Sequence, residues 1–195
     1  MGVGVWDVTK CVVLIYCPLQ QPCSDAEPTP YPWNLDLIAD NAAVQDIEIL
    51  NPYNAVRAVL AGRHLIARIQ GQPLHTGLFV DKTYDIGRVE NVHWNPWFCQ
   101  RVPFMRHQLT YGRAFLVARS DWEYFFNTFA FGYSIGYHFI ESADGACNGN
   151  FLGIGKPLPT TSNPQPTTHN PQPTTHNPQP TTSDPQPTNR HGHGH

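Results

Sequence analysis

Between Asp81 and Glu90 the chain gathers Asp81, Lys82, Asp85, Arg88 and Glu90 within ten residues. Paired carboxyl groups are the equipment of acid–base work, one giving a proton while the other takes one or attacks. A carboxylate set among cations serves elimination as well, drawing off a proton while the cations stabilise the developing negative charge. Asp121 and Glu123, just ahead of a Phe-rich run, form a second pair of candidates. The plain alternative for each is a turn carboxylate that caps its own backbone or pairs with a neighbour such as Arg88. His93, Trp94, Trp97, Phe98 and Arg101 cluster further on, and Trp122 and Tyr124 follow. Exposed indoles offer flat apolar platforms with a polar edge. Trp94 aligns with the aliphatic positions of its strand and reads as core, which leaves Trp97 and Trp122 as the candidate platforms.

Thiol and metal chemistry have little text. Cys11, Cys17, Cys23, Cys99 and Cys147 show no zinc spacing, and none has His and Asn partners in a recognisable context. An odd count leaves one thiol over if the chain is oxidised, with one or two disulfides open. The terminal His191, His193 and His195 alternate with Gly; they can chelate a divalent ion weakly, but lack four ligands and supporting partners. No metal site and no cofactor are expected.

Short strands must position these residues. Runs such as 44–50, 68–71, 77–80, 88–94, 114–117 and 125–131 alternate or are apolar, and are closed by Gly, Asn or Pro. Four- to seven-residue strands of this kind argue for an all-β fold. No stretch keeps helical periodicity with caps for three turns; residues 36–47 come closest. Ile47 to Ile69 is 22 residues, Ile69 to Val92 is 23 and Val56 to Leu78 is 22. A period near 22 with several strands per period is the pattern of a solenoid, in which equivalent aliphatic positions stack as inward ladders. A β-sandwich, whose strands recur every 8–12 residues, is the competing architecture.

The stretch from Gly71 through His75, Asp81, Asp85, Arg88, Glu90, His93 and Trp94 to Trp97 resembles the right-handed parallel β-helix proteins of the pectate-lyase-like superfamily. Asp121–Tyr124, Asn127–Phe129 and Gly132–Phe139 fit further coils of that fold, so the resemblance covers about residues 40–155. It implies a right-handed single-stranded parallel β-helix of about five coils. It also implies a carbohydrate-active protein, a polysaccharide hydrolase or lyase working in a surface groove. On that reading Asp81, Asp85 and Glu90 are the catalytic candidates, and Arg88, His93, Trp97 and Trp122 hold the glycan. The superfamily also includes binding proteins, so a non-catalytic carbohydrate-binding or adhesion module stands beside the enzyme. Such proteins usually stack eight or more coils; five leave apolar ends that call for caps or for a second copy.

The division expected is an N-terminal cap or irregular segment over 1–35, the β-helix over 36–155 and a tail over 156–195. The tail repeats NPQPTTH and its variants from Asn163. Proline removes a backbone donor at two positions of each repeat, so neither helix nor sheet propagates there, and an extended stalk is expected. Thr pairs between prolines also match O-glycosylated stalks. Twelve basic and fifteen acidic residues give a net charge of -3, which excludes the basic face a nucleic-acid binder needs. No apolar run approaches the roughly 20 residues of a membrane span. The N-terminus lacks the basic start of a signal peptide. The Pro/Thr tail and the carbohydrate-type fold point instead to an extracellular, secreted or surface setting.

Overall fold

The structure, a computed structural model, describes residues 20–156. The NPQPTTH repeats, the terminal histidines, Cys11 and Cys17 lie outside the described residues.

The 22-residue spacing is realised directly as parallel pairing. β1 (Trp33–Leu37), β3 (Asn54–Val59), β5 (Thr76–Asp81), β7 (Arg113–Val117) and β10 (Ile135–Phe139) pair in that order as one sheet. β2 (Ala43–Ile49), β4 (Leu65–Gly71), β6 (Gly87–Trp94), β8 (Ser120–Phe126) and β11 (Cys147–Leu152) form the other, with two-residue β9 (Phe129–Ala130) also on β6. Apart from the short β9, strands alternate between the two sheets along the chain, and all pair parallel, so five turns stack on one another. This is an all-β parallel solenoid of about five coils, as the spacing predicts, and not a sandwich.

Ile47, Ile69 and Val92 are register partners, as are Val56 and Leu78. One inward ladder runs Leu35, Val56, Leu78, Phe115, Tyr137, and the facing one runs Val44, Ile66, Val89, Phe125, Phe151. Aromatic residues fill the later coils: Phe115 stacks on Tyr137 with ring centroids 4.8 Å apart and meets Phe125 edge-on. Each fully buried side chain of this kind contributes about 1.5–3 kcal/mol by leaving water.

Alternation fails once per coil in the second sheet. Asp46, Arg68 and Asn91 adopt left-handed backbone with φ of 58°, 51° and 52°. The ladder passes over them, pairing Gln45–Ala67–Glu90 and then Ile47–Ile69–Val92. Val44, Ile47 and Ile49 therefore all join the core although they are three and then two residues apart. The side chains stack outside: Arg68 Nε donates to Asp46 Oδ1 at 2.5 Å, and Asn127, also left-handed, donates to Asn91 Oδ1 at 2.6 Å. These contacts offset a conformation that costs a non-glycine residue about 1–2 kcal/mol.

The insertion after β6 holds a helix that periodicity does not reveal, α1 (Val102–Tyr111). It is ten residues long; Arg101 gives it no side-chain cap and its first turn carries no acid, so Pro103 is the one start signal its sequence carries. Buried Phe104 and Gln108 dock it instead. The Gln72 amide clamps the insertion: its oxygen accepts from Phe98 and Cys99 N–H, and its nitrogen donates to Cys99 O at 2.9 Å and Gln108 Oε1 at 3.2 Å. A Cys23–Cys99 disulfide ties the segment before β1 to the same place, and Cys147 is a free, half-buried thiol.

Candidate functional site

The sequence candidates separate into two neighbouring surfaces. Asp81 ends β5 and is buried; its Oδ1 accepts from Arg119 N–H at 3.1 Å and Ser142 Oγ at 2.9 Å. Asp85 lies on the link to β6. It accepts the Ile86 N–H at 2.8 Å and pairs with Arg63 rather than Arg88. The backbone bond first, and Arg63 second, hold its carboxyl below the ordinary carboxylate range. Both residues thus take up the capping and pairing roles of turn aspartates.

Asp85 nevertheless borders an open groove of about 370 Å³, shared with Asp40, Arg63, Lys82 and Tyr84. Lys82 Nζ lies 2.9 Å from Asp144, and this bond holds the Asp144 carboxyl low and the Lys82 ammonium high. Tyr84 is 55% exposed, donates its hydroxyl to Asp144 and carries the Arg119 guanidinium over its ring at 5.7 Å. Asp85 and Asp144 are both pulled away from the raised affinity that a general acid needs. The groove offers hydrogen-bonding groups and one aromatic platform.

The second surface is the outer face of the sheet β2–β4–β6–β8–β11. Arg88, Glu90 and His93 project outward from β6. Register sets Arg88 beside Tyr124 and Glu90 beside Phe126, and one coil on, Asn150 and Leu152 continue the two rows. Trp122, left-handed at φ 65°, is 50% exposed. Its indole N–H donates to the Tyr124 hydroxyl at 2.7 Å, and its own N–H donates to Asn148 Oδ1 at 2.7 Å, so the ring is held in place. Phe126 is similarly exposed. The Arg88 side chain makes no hydrogen bond or ion pair among the described residues; its backbone N–H donates to the His64 carbonyl at 3.0 Å. His93 meets Phe129 edge-on with centroids 6.1 Å apart, further along the strand.

Four predicted residues, Arg88, Glu90, His93 and Trp122, therefore share one face, and Tyr124, Phe126 and Leu152 complete it. Trp97, also exposed, lies beyond the far end of β6, roughly 25 Å along the strand from the level of Trp122. Trp94 is fully buried, as its alignment predicts.

Two polar clusters have no counterpart in the sequence reading. Inside the solenoid His64 Nε2 lies 3.0 Å from Glu123 Oε1, His64 Nδ1 lies 2.8 Å from the Ala61 carbonyl, and Ser120 Oγ donates to Glu123 Oε2 at 2.7 Å. Ser120 contacts the carboxylate rather than the imidazole, so this is no nucleophile–base pair, and neither His64 nor Glu123 is exposed. Glu123 is thereby accounted for as an interior residue. At the edge of the insertion, Tyr53 stacks on His75 with centroids 4.8 Å apart, and His107 of α1 lies 5.7 Å from His75.

His75 Nδ1 and His107 Nε2 are buried without a partner. Burial lowers the proton affinity of both; for His75 the charges of His107 and Arg113 add to it, while Glu27 opposes the effect at His107. A depressed histidine stabilises the fold above its ordinary value of 6.5, and that contribution is lost as pH falls through the lowered value. Protection factors of the α1 amides, each exchange rate being referred to that of the unstructured chain at the same pH, are expected to fall as the pH drops from 7.5 to 5, and less so in His107→Phe. Equal α1 protection at both pH values would count against this docking.

A scan against protein-family models found no match, nor did searches of curated proteins and of solved structures. The fold itself defines the class: a parallel β-solenoid of about five coils.

Proposed function

We propose that this solenoid binds a polysaccharide or other extended glycan, with the outer face around Trp122 as its platform. The observation that carries the reading is the rigidly held, half-exposed indole of Trp122 beside Tyr124 and exposed Phe126. Flat apolar rings accept the C–H faces of sugars, and Arg88, Glu90 and Asn150 beside them supply partners for hydroxyls. The groove at Tyr84, Lys82 and Asp85 adjoins the start of β6 and extends the surface around the corner. The pectate-lyase-like resemblance supports the same ligand class.

Catalysis is the second reading, favoured by one observation: the groove sets the Asp85 carboxylate among Arg63 and Lys82, the ingredients of an elimination. The pairing of Asp85 with Arg63, and of Lys82 with Asp144, weighs against it. The Cys23–Cys99 disulfide supports a working place in an oxidising, extracellular setting. Retardation of the full chain in gels cast with acidic and neutral polysaccharides, alongside an assay for unsaturated or reducing ends, tests the proposal. Retardation without product is expected. Product release that is lost in Asp85→Asn would establish the enzyme instead, and absence of both would overturn the glycan reading.

A further inference from the structure

The two ends of the solenoid differ in how their edges are protected. A sheet edge presents unpaired N–H and C=O groups, and monomeric proteins guard it with charges, prolines or bulges. At the N-terminal end β1 carries Asp36 and β2 carries Asp46 and Glu48, each tied to the next coil through Arg57, Arg68 and Gln70. At the other end β10 reads IGYHF and β11 reads CNGNFL, with no Asp, Glu, Lys, Arg or Pro in either. Both are the last strands of their sheets among the described residues. Their inward rung is apolar and incompletely covered: Phe139 packs edge-on against Phe151 at 4.8 Å and is 44% exposed, while on the outer face of the same strand as Phe151, Leu152 is 61% exposed.

The sequence that leaves this end is, as far as Pro187, a poor partner for the edge. From Pro157 to Pro187 no run of more than four residues is free of proline, so it has no unbroken set of donors to match strands of five and six residues. A second copy of the same edge has every donor and presents two strands at the same spacing; the charge beside it is Lys156, which lies over Gly136 with its ammonium on the Ser134 carbonyl at 2.9 Å. The opposite end carries Asp36, Asp40, Asp46 and Glu48, held by Arg57, Arg63, Arg68 and Gln70, charged groups that a second copy would have to strip of water. We infer that the edge formed by β10 and β11 is a dimer interface, two copies joining end to end about a two-fold axis through this rung.

Sedimentation equilibrium of the full chain at micromolar concentrations, with its charge variants, tests this. A dimer is expected. Asn150→Lys/Leu152→Lys, which changes two exposed side chains, should return a monomer with an unchanged far-UV spectrum. Ile38→Lys, an equally exposed change at the other end, should leave the dimer intact. A wild-type monomer up to about 100 μM would overturn the inference. So would a dimer that survives the double lysine variant or breaks with Ile38→Lys. A monomer whose β10 and β11 amides resist exchange would place another segment of the same chain on the edge, and would equally refute it.

Discussion

Glu123→Ala is expected to destabilise the solenoid by about 3–5 kcal/mol, the range for removing one partner of a buried ionic pair. The magnitude comes from what is left behind. Glu123 occupies the inward corner of its coil with no exposed side-chain surface, and His64 two coils away is equally covered. Gly87 is the register partner of Glu123 and lies between them; a Cβ there would collide with both side chains. A residue without a side chain is what lets carboxylate and imidazole meet across an intervening coil. Without Glu123, His64 keeps one bond to Ala61 and loses its counter-charge, while Ser120 loses its acceptor.

The pH dependence should change with it. Burial alone would lower the proton affinity of His64, but the bond and charge of Glu123, helped by the Ala61 carbonyl, more than reverse this and raise it. Both ring nitrogens face acceptors, which suits the doubly protonated ring. A histidine raised on folding stabilises fully below its ordinary value of 6.5, and the contribution fades as pH rises through the raised value. Urea midpoints of wild type and Glu123→Ala should therefore differ most below pH 6.5 and converge at alkaline pH. A loss under about 1 kcal/mol at pH 6 would show that the pair is not buried as described.

Trp94→Ala carries the second large effect, about 3–5 kcal/mol, the usual cost of emptying a buried Trp or Phe site. The indole packs near Phe115 with no exposed surface. It occupies the space left by glycine: a Cβ on Gly77 would stand 2.6 Å from its Nε1, and its strand partner is Gly71. The indole N–H finds no acceptor. Trp94→Phe should therefore cost much less than the alanine change, because the smaller ring keeps most of the packing and removes an unsatisfied donor. Equal losses for Phe and Ala would mean that the N–H, not the ring volume, matters at this position.

The fold was legible because the solenoid repeats its own length. Ile47, Ile69 and Val92 stand one coil apart in sequence and touch as register partners in space, so a spacing in the text became a contact. Trp94 as core followed from the same alignment. The left-handed residue in each coil was not legible: Asp46 and Arg68 are not glycine, and their conformation depends on stacking between coils. The His64–Glu123 pair escaped for a related reason. Its members are 59 residues apart, with the insertion containing α1 between them, and the fixed period is broken there. Among the site candidates, Arg88, Glu90, His93 and Trp122 share a face because strand alternation and coil register put them there. Closeness in sequence grouped Asp81 and Asp85 with them, although Asp85 satisfies its own turn and Arg63, and Asp81 ties the Arg119 N–H and Ser142 of later coils.

The binding face is the central claim, and its most direct test is a titration of wild type, Trp122→Ala and Trp97→Ala with the polysaccharide that retards the full chain most. Trp122 is exposed, so its loss should leave the thermal midpoint nearly unchanged. A platform ring at the centre of an interface is worth about 2 kcal/mol, so Kd should rise on the order of 30-fold for Trp122→Ala. Trp97→Ala, at the far end of β6, should change Kd by less than about threefold. An unchanged Kd for Trp122→Ala, with the variant folded, would contradict the account and remove this face from the function.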